Sequence, residues 1–375
     1  MAIIKMFSFE TGTTPLSLGL IFHSGSPHSI TSAAARTQSR SLMLVNYGAF
    51  GISGKAYYPL PQAVSTVWVQ LAYYSDSYPD KPVGQSPASG DRFGMIDFWS
   101  DTTHCIQIGF EPAAYKIVAA MHDTSTIASS TSSNLFTLGV WHFIEAKLVI
   151  SDTAGSILVK LNGVTVLDAT GIDTKYSTLN TVNRVMFGTN HGPVLATALM
   201  DDIIIGDGTG LNASPPGDAR VEYLAPIAAG NRTQFTPSAG SNWGNVDEFG
   251  TPSDSDYNWS SEVGSTDLFS MSNLTGNGVV HAVQTVIRSR KDDVGFRLVK
   301  PAFYKPIGQG DTTRLYTNAA PATSVLDSFS YSTSVLETSP DTASAWTVEE
   351  IADLQFGYVV GGGSQFSADA WLAAF

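Results

Sequence analysis

The sequence predicts an all-β protein of two sandwich domains, and three observations lead there. Runs of five to nine residues rich in Val, Ile, Phe, Tyr and Thr recur along the chain, bounded by Gly, Asn, Asp, Pro or Ser, which is the signature of strands closed by turns. Charged residues make up 14% of the chain against about 25% in ordinary globular domains, too few for solvated helical bundles or coiled coils. The length of 375 residues exceeds the roughly 100–200 residues of one typical domain and supplies apolar material for two cores.

The first part reads as successive strands at Val67–Ser75, Phe93–Ser100, His104–Glu111, Tyr115–His122, His142–Ser151, Ser156–Gly163, Arg184–Gly188 and Met200–Asp207. Many alternate apolar and polar positions, as a sheet with one buried face requires. Asn162-Gly163, between SILVKL and VTVLDAT, tolerates the positive φ angles of a type I′ turn and predicts a tight hairpin. The Pro-Pro pair in LNASPPGDAR interrupts the strand pattern and places a domain junction there, giving domains 1–211 and 212–375. In the second domain VVHAVQTVIRSRK, VGFRLVKPAFY, VLDSFSYSTSV and LQFGYVV read as strands. RSRKDD (Arg288 to Asp293) changes sign along its length and reads as a solvated hairpin turn, with a phosphate or partner site as the alternative. One short helix is expected near Val348–Leu354, with Thr347 as N-cap and Glu350 completing a capping box; the alternative is a loop entering the last strand.

Composition excludes several functions. Asp and Glu outnumber Lys and Arg by 33 to 20, a formal charge of −13, so there is no footprint for a nucleic-acid backbone. Cys105 is the single cysteine, which excludes an intrachain disulfide framework and a cluster of thiolate metal ligands. MAIIKMFSFETG has too short an apolar run for a secretory signal, and no later stretch reaches the length of a membrane helix; the expectation is a soluble chain without its own export or membrane signal. Gly-x-Ser-x-Gly, Walker A and His-Glu-x-x-His patterns are absent from the sequence, as is the strand-borne Glu-x-Asp-x-x-Glu run that would project paired glycosidase carboxylates into one cleft. The chain is therefore not expected to be an enzyme.

From Trp141 to Gly210 the sequence runs WHFIEAKLVISDTAGSILVKLNGVTVLDATGIDT, NRVMFGTNHG and MDDIIIGDGTG. This block resembles the end of a concanavalin A-like, laminin-G-like jelly-roll sandwich. GDARVEYLAP, TQFTPSAGSNWGNVDE, DYNWSS, DLFSM, RSRKDDVGFR and AWTVEEIADLQFGYVV then follow in order, and the ordered set is similar to a two-domain architecture of structural proteins in tailed bacteriophages. The resemblance implies a non-enzymatic virion protein, assembled in the host cytoplasm beside other virion proteins. It would be tail-associated, with a carbohydrate-binding type of sandwich attaching to host-surface glycans; the alternative is a purely architectural capsid or tail decoration protein making only protein contacts.

In many sandwiches of this kind a carboxylate near the closing strand helps to hold Ca²⁺. That implies Asp202, with Asp101 and Asn190, as candidate ligands and Asp97 and Glu10 as further oxygen donors; no other cofactor is implied. Alternation places Asp201 and Asp202 on opposite faces, so the competing reading is one carboxylate accepting backbone hydrogen bonds and the other solvated. A sugar site needs flat aromatic faces beside polar groups. Most of the aromatics should be core, Trp141 above all, whereas Trp99 before SDTTH, and Asn190 and His191 in a loop, sit with polar residues at strand ends and are the glycan candidates. The terminal run GGGSQFSADAWLAAF carries Phe366, Trp371, Leu372 and Phe375, too many large apolar groups for a solvated tail. Either it folds back on its own domain or it docks on a neighbouring copy, giving a homo-oligomer.

Overall fold

The computed structural model describes residues 3–10, 19–22, 28–47, 54–76, 91–111, 113, 116–122, 125–133, 135–191, 195–248, 252–292, 295–305, 314–317, 320–362 and 366–374. The chain divides into two compact units, Met1–Phe9 with Thr14–Ala219, and Glu10–Thr13 with Arg220–Phe375. The division falls at Ala219 instead of the Pro-Pro pair because the segment after Gly210 stays bonded to the first unit. The Trp68 indole Nε1 donates to the Asn212 carbonyl at 2.9 Å, Lys147 Nζ to Ala213 O at 2.8 Å and Gln70 Nε2 to Ala219 O at 3.0 Å.

Strands of the first unit are β1 (Ile3–Phe7), β2 (Ile21–Phe22), β3 (His28–Thr31), β4 (Ser41–Tyr47), β5 (Ala56–Val64), β6 (Thr66–Tyr74), β7 (Arg92–Ser100) and β8 (Thr103–Glu111). They continue as β9 (Lys116–Met121), β10 (Ser125–Ser129), β11 (His142–Val149), β12 (Gly155–Leu161), β13 (Val164–Ile172), β14 (Val182–Phe187), β15 (Thr189–His191) and β16 (Leu195–Gly206). One sheet runs β13-β12-β11-β6-β16-β4-β3 with β1 also on β16; the other runs β10-β9-β8-β7-β14-β5-β2 with β15 also on β7. All the pairings are antiparallel. The sheets pack face to face: Phe7 meets Tyr58 at 5.5 Å and Tyr73 meets Phe93 at 6.2 Å, each pair joining one sheet to the other. Asn162 and Gly163 adopt φ of 51° and 79° in the β12–β13 turn, as the Asn-Gly pair requires. Trp68, not Trp141, is the fully buried tryptophan; Trp141 is half-buried against Tyr74.

The second unit contains β17 (Glu222–Leu224), β18 (Pro226–Thr233), β19 (Thr236–Pro237), β20 (Asn258–Ser260), β21 (Thr266–Met271), β22 (Val283–Lys291) and β23 (Leu298–Lys305). After these come β24 (Arg314–Tyr316), β25 (Thr323–Ser324), β26 (Ser330–Leu336), the helix α1 (Val348–Ala352), β27 (Gln355–Gly362) and β28 (Phe366–Ala374). One sheet is β19-β20-β28-β22-β26 with β17 on β28, the other β18-β21-β27-β23-β24 with β25 on β23. Val283 and Ile287 from the first sheet and Phe269, Phe303, Phe356 and Tyr358 from the second share one core. Helix α1 has the full capping box: Glu350 N donates to Thr347 Oγ1 at 3.1 Å and Thr347 N to Glu350 Oε2 at 2.9 Å. Arg288–Lys291 of RSRKDD end β22, and β22 and β23 lie in different sheets, so the run is not a hairpin turn; Asp293 lies outside the described residues. Arg288 is buried, ion-paired with Asp254 and stacked at 4.0 Å on Phe329.

Candidate functional site

Two bulges organise the first unit's second sheet. Met95 and Cys105 are the extra residues where the β7–β8 register shifts, so Asp97 stays opposite Gln107 and Trp99 falls opposite His104. Phe93, Ile96, Phe98, Ile106, Ile108 and Phe110 form the face turned to the other sheet, all buried. By alternation Asp97, Gln107 and their cross-strand neighbours occupy the opposite, outward face. Tyr57 joins them, because its neighbour Tyr58 contacts Phe7 in the other sheet; Arg184 joins them as the β14 residue opposite Trp99.

This outward face carries a connected polar row. Arg92 Nε donates to Gln107 Oε1 at 3.0 Å, Gln107 Nε2 to Asp97 Oδ2 at 3.4 Å, and His104 Nε2 lies 3.8 Å from the same Asp97 oxygen. All four side chains are buried. At the accessible end the indole of Trp99 stacks on the His104 ring, centroids 5.0 Å apart and planes 16° from parallel. One strand further, the Arg184 guanidinium lies 4.5 Å over the Tyr57 ring. Trp99, Arg184 and Tyr57 are half-exposed and Pro59, opposite Arg184 on β5, is exposed. A guanidinium and flat rings side by side at an accessible edge can contact the C–H face and the oxygens of a polyhydroxylated ring, while the carboxylate–amide row behind them is closed to solvent and can only support them.

Of the glycan candidates, Trp99 is therefore on this face. Asn190 and His191 belong to strand β15, not to a loop, with backbones opposite Phe93 and Arg92; their side chains lie outside the described residues. Tyr57 and Arg184 were not singled out by the sequence, because their adjacency to Trp99 arises only when β5 and β14 pair.

The closing strand contains a different arrangement from the one alternation implies. The register of β16 on β6 shifts between Asp201 and Ile204, and Asp202 has φ of 49°, so period-two alternation is broken there. Both carboxylates are buried, neither solvated. Asp201 Oδ2 accepts from the backbone N–H of Arg36 and Thr37 at 3.0 and 3.1 Å, and its Oδ1 from Asp202 N at 2.8 Å. Asp202 Oδ2 accepts from Arg36 Nη1 at 3.0 Å and Thr37 Oγ1 at 2.8 Å. Burial, then the Asp202 charge, pushes the Asp201 carboxyl well above the usual carboxylate range.

The Ca²⁺ candidates are not gathered. Asp202, on β16, faces Arg36 in the β3–β4 connection. Asp101 sits in the β7–β8 turn beside the other sheet, φ 50°, bonded to Asn183 at 2.6 Å. Asp97 belongs to the polar row, Glu10 is buried and grouped with the second unit, and the Asn190 side chain lies outside the described residues. Among the described residues no group of three or more His, Cys, Asp or Glu side chains has metal-holding geometry. Phe366, Trp371 and Leu372 lie on β28, whose backbone pairs with β22 on one side and with β20 and β17 on the other. The terminal run thus folds back into its own unit, of the two alternatives; the side chains on β28, and Phe375, lie outside the described residues.

No known family model matches the chain, and no curated protein does. Solved structures similar to it include the cellulose-induced protein Cip1, 18% identical with TM-score 0.40 over 53% of this chain and 95% of that one. The alginate lyase Aly36B, as a mutant with an alginate trisaccharide, is 13% identical with TM-score 0.39 over 54% of this chain and 98% of that one. The N-terminal CBM22-1–CBM22-2 tandem of Xyn10C from Paenibacillus barcinonensis is 10% identical with TM-score 0.28 over 99% of this chain and 96% of that one. Likeness at this level says nothing of what this chain binds. Among the described residues no helix is long and apolar enough to cross a membrane.

Proposed function

We propose that the first unit is a glycan-binding sandwich that holds its ligand on the outward face of the sheet bearing Trp99, without turning it over. The observation that carries this reading is the Trp99–His104 stack standing beside the Arg184–Tyr57 stack at the accessible end of a buried polar row. Aromatic planes supply apolar contact for sugar C–H faces, and Arg184 with the Trp99 indole supplies donors for sugar oxygens. The resemblance of the ordered motifs to structural proteins of tailed bacteriophages is the ground for proposing a place in the virion, at the tail, where such a face would meet host-surface glycans.

A glycan array run with the full chain, beside an assay for reducing-sugar release, tests the reading. Binding that Trp99→Ala abolishes, with no sugar released, is the expected result. Silence on the array favours the architectural alternative, a decoration protein making only protein contacts; release of sugar overturns the non-enzymatic part.

A further inference from the structure

On the same face, Trp99 Nε1 and Arg184 Nε are both buried nitrogen donors without an acceptor among the described residues. They stand on directly opposed residues of β7 and β14. Such cross-strand neighbours have Cβ atoms roughly 4.5–5.5 Å apart, which brings the two side chains within reach of one ligand group. An N–H left without an acceptor is costly, so the pair favours whatever fills it.

Charge narrows the choice of filler. Arg184 makes no ion pair among the described residues, whereas Arg36, Lys175, Arg288, Lys291, Lys305 and Arg314 each have a carboxylate partner. The nearby carboxylates already have partners: Asp97 Oδ2 accepts from Gln107, and Asp101 from the Asn183 amide. A chain of net charge −13 thus presents an unneutralised guanidinium next to an unmatched indole N–H, both half-exposed as side chains and flanked by the Tyr57 ring. A neutral sugar hydroxyl could accept from one donor but would leave the cation unpaired.

We infer that Trp99 and Arg184 together receive the carboxylate of an acidic sugar, so that the ligand is a uronate- or sialate-bearing glycan. This rests on the glycan-binding reading of the face. In the bound state the half-exposed Trp99 and Arg184 side chains turn so that one carboxylate oxygen accepts from the indole N–H, which is covered in the unliganded structure, and the other from the guanidinium, while the sugar ring lies toward Tyr57.

The test uses the full chain and three polymers, polygalacturonate, hyaluronan and polysialic acid, each beside its carboxyl-reduced form, with a neutral glycan array as reference. Binding to at least one acidic polymer, weakened tenfold or more by carboxyl reduction, is expected; a hydrogen bond to a charged group accounts for a factor of roughly that size. Trp99→Phe, which keeps a ring against His104 but removes the N–H, and Arg184→Gln should each weaken binding to the acidic polymer by a similar factor. Lys160→Gln, on the other sheet, is the control for non-specific charge attraction and should not. Equal affinity for the reduced polymer, or unchanged affinity in Trp99→Phe and Arg184→Gln, overturns the carboxylate assignment. Binding only to neutral glycans overturns it alone and leaves the glycan-binding reading standing; no binding to any glycan, acidic or neutral, removes both.

Discussion

Asp202 turns its carboxylate onto the guanidinium of Arg36, 3.0 Å away, from a left-handed bulge position with φ of 49°. The ion pair lies inside the first unit, where removing one partner strands the other charge in a poorly solvating interior. Arg36→Ala should therefore lower stability by about 3–5 kcal/mol, read as a fall in the first unit's denaturation midpoint. Because Arg36 is the counter-ion of Asp202, a chelator should leave the melting temperature of the wild type unchanged. A melting temperature raised by Ca²⁺, and a rise lost in Asp202→Asn, would instead return Asp202 to the role of a metal ligand.

Gly206 lies opposite Trp68 in the β16–β6 register. A Cβ there would come within 2.2–2.4 Å of three indole atoms of a side chain that is fully buried and tethered to Asn212. The indole cannot move aside, so Gly206→Ala should destabilise the first unit by about 3 kcal/mol or more. Gly163→Ala, with open space around its Cβ but φ of 79°, should cost about 1–2 kcal/mol from backbone strain alone. Paired denaturant titrations of the two variants measure the difference.

Lys5 is fully buried on β1, its ammonium 5.7 Å from the centre of the Phe7 ring, and burial pulls its pKa down to about 7. The folded state then binds fewer protons than the unfolded chain between about pH 7 and the unfolded lysine value near 10.4. Stability should consequently rise with pH across that window, since it rises wherever the unfolded state holds more protons. Lys5→Met should flatten this part of the stability–pH profile, which melting curves from pH 6 to 10 record.

β28 occupies the interior of its sheet, with β22 on one edge and β20 and β17 on the other. A chain ending at Gly361 loses that strand and leaves β22 unpaired along one edge over nine residue pairs, with β26 still on the other. The expected outcome is loss of the second unit's cooperative unfolding transition by circular dichroism, with the first unit's transition retained. Light scattering that shows only an oligomer converted to a folded monomer would mean that the terminal run contacts a neighbour instead.

Much of the fold is legible because its signals are local. Asn162-Gly163 needs only its own φ preferences to specify the β12–β13 turn, and Thr347 with Glu350 specifies a helix start within four residues. The site is less legible because it depends on strand pairing between distant segments. Trp99 and His104 are five positions apart, and their hairpin brings them together, but Arg184 and Tyr57 reach the same face only through β14 and β5. Bulges hide further information: Asp201-Asp202 has the look of one buried and one solvated carboxylate until the irregular register turns both inward onto Arg36 and Thr37. RSRKDD misleads for a related reason, since a change of charge sign does not reveal that the next strand belongs to the other sheet.

Hydrogen exchange of the full chain, with and without a glycan selected on the array, tests the central claim most directly. Slower exchange confined to peptides covering Tyr57, Trp99 and Arg184, and lost in Trp99→Ala, is the result the account predicts. Protection at the edges of the other sheet or in the second unit, with these three strands unchanged, would contradict it.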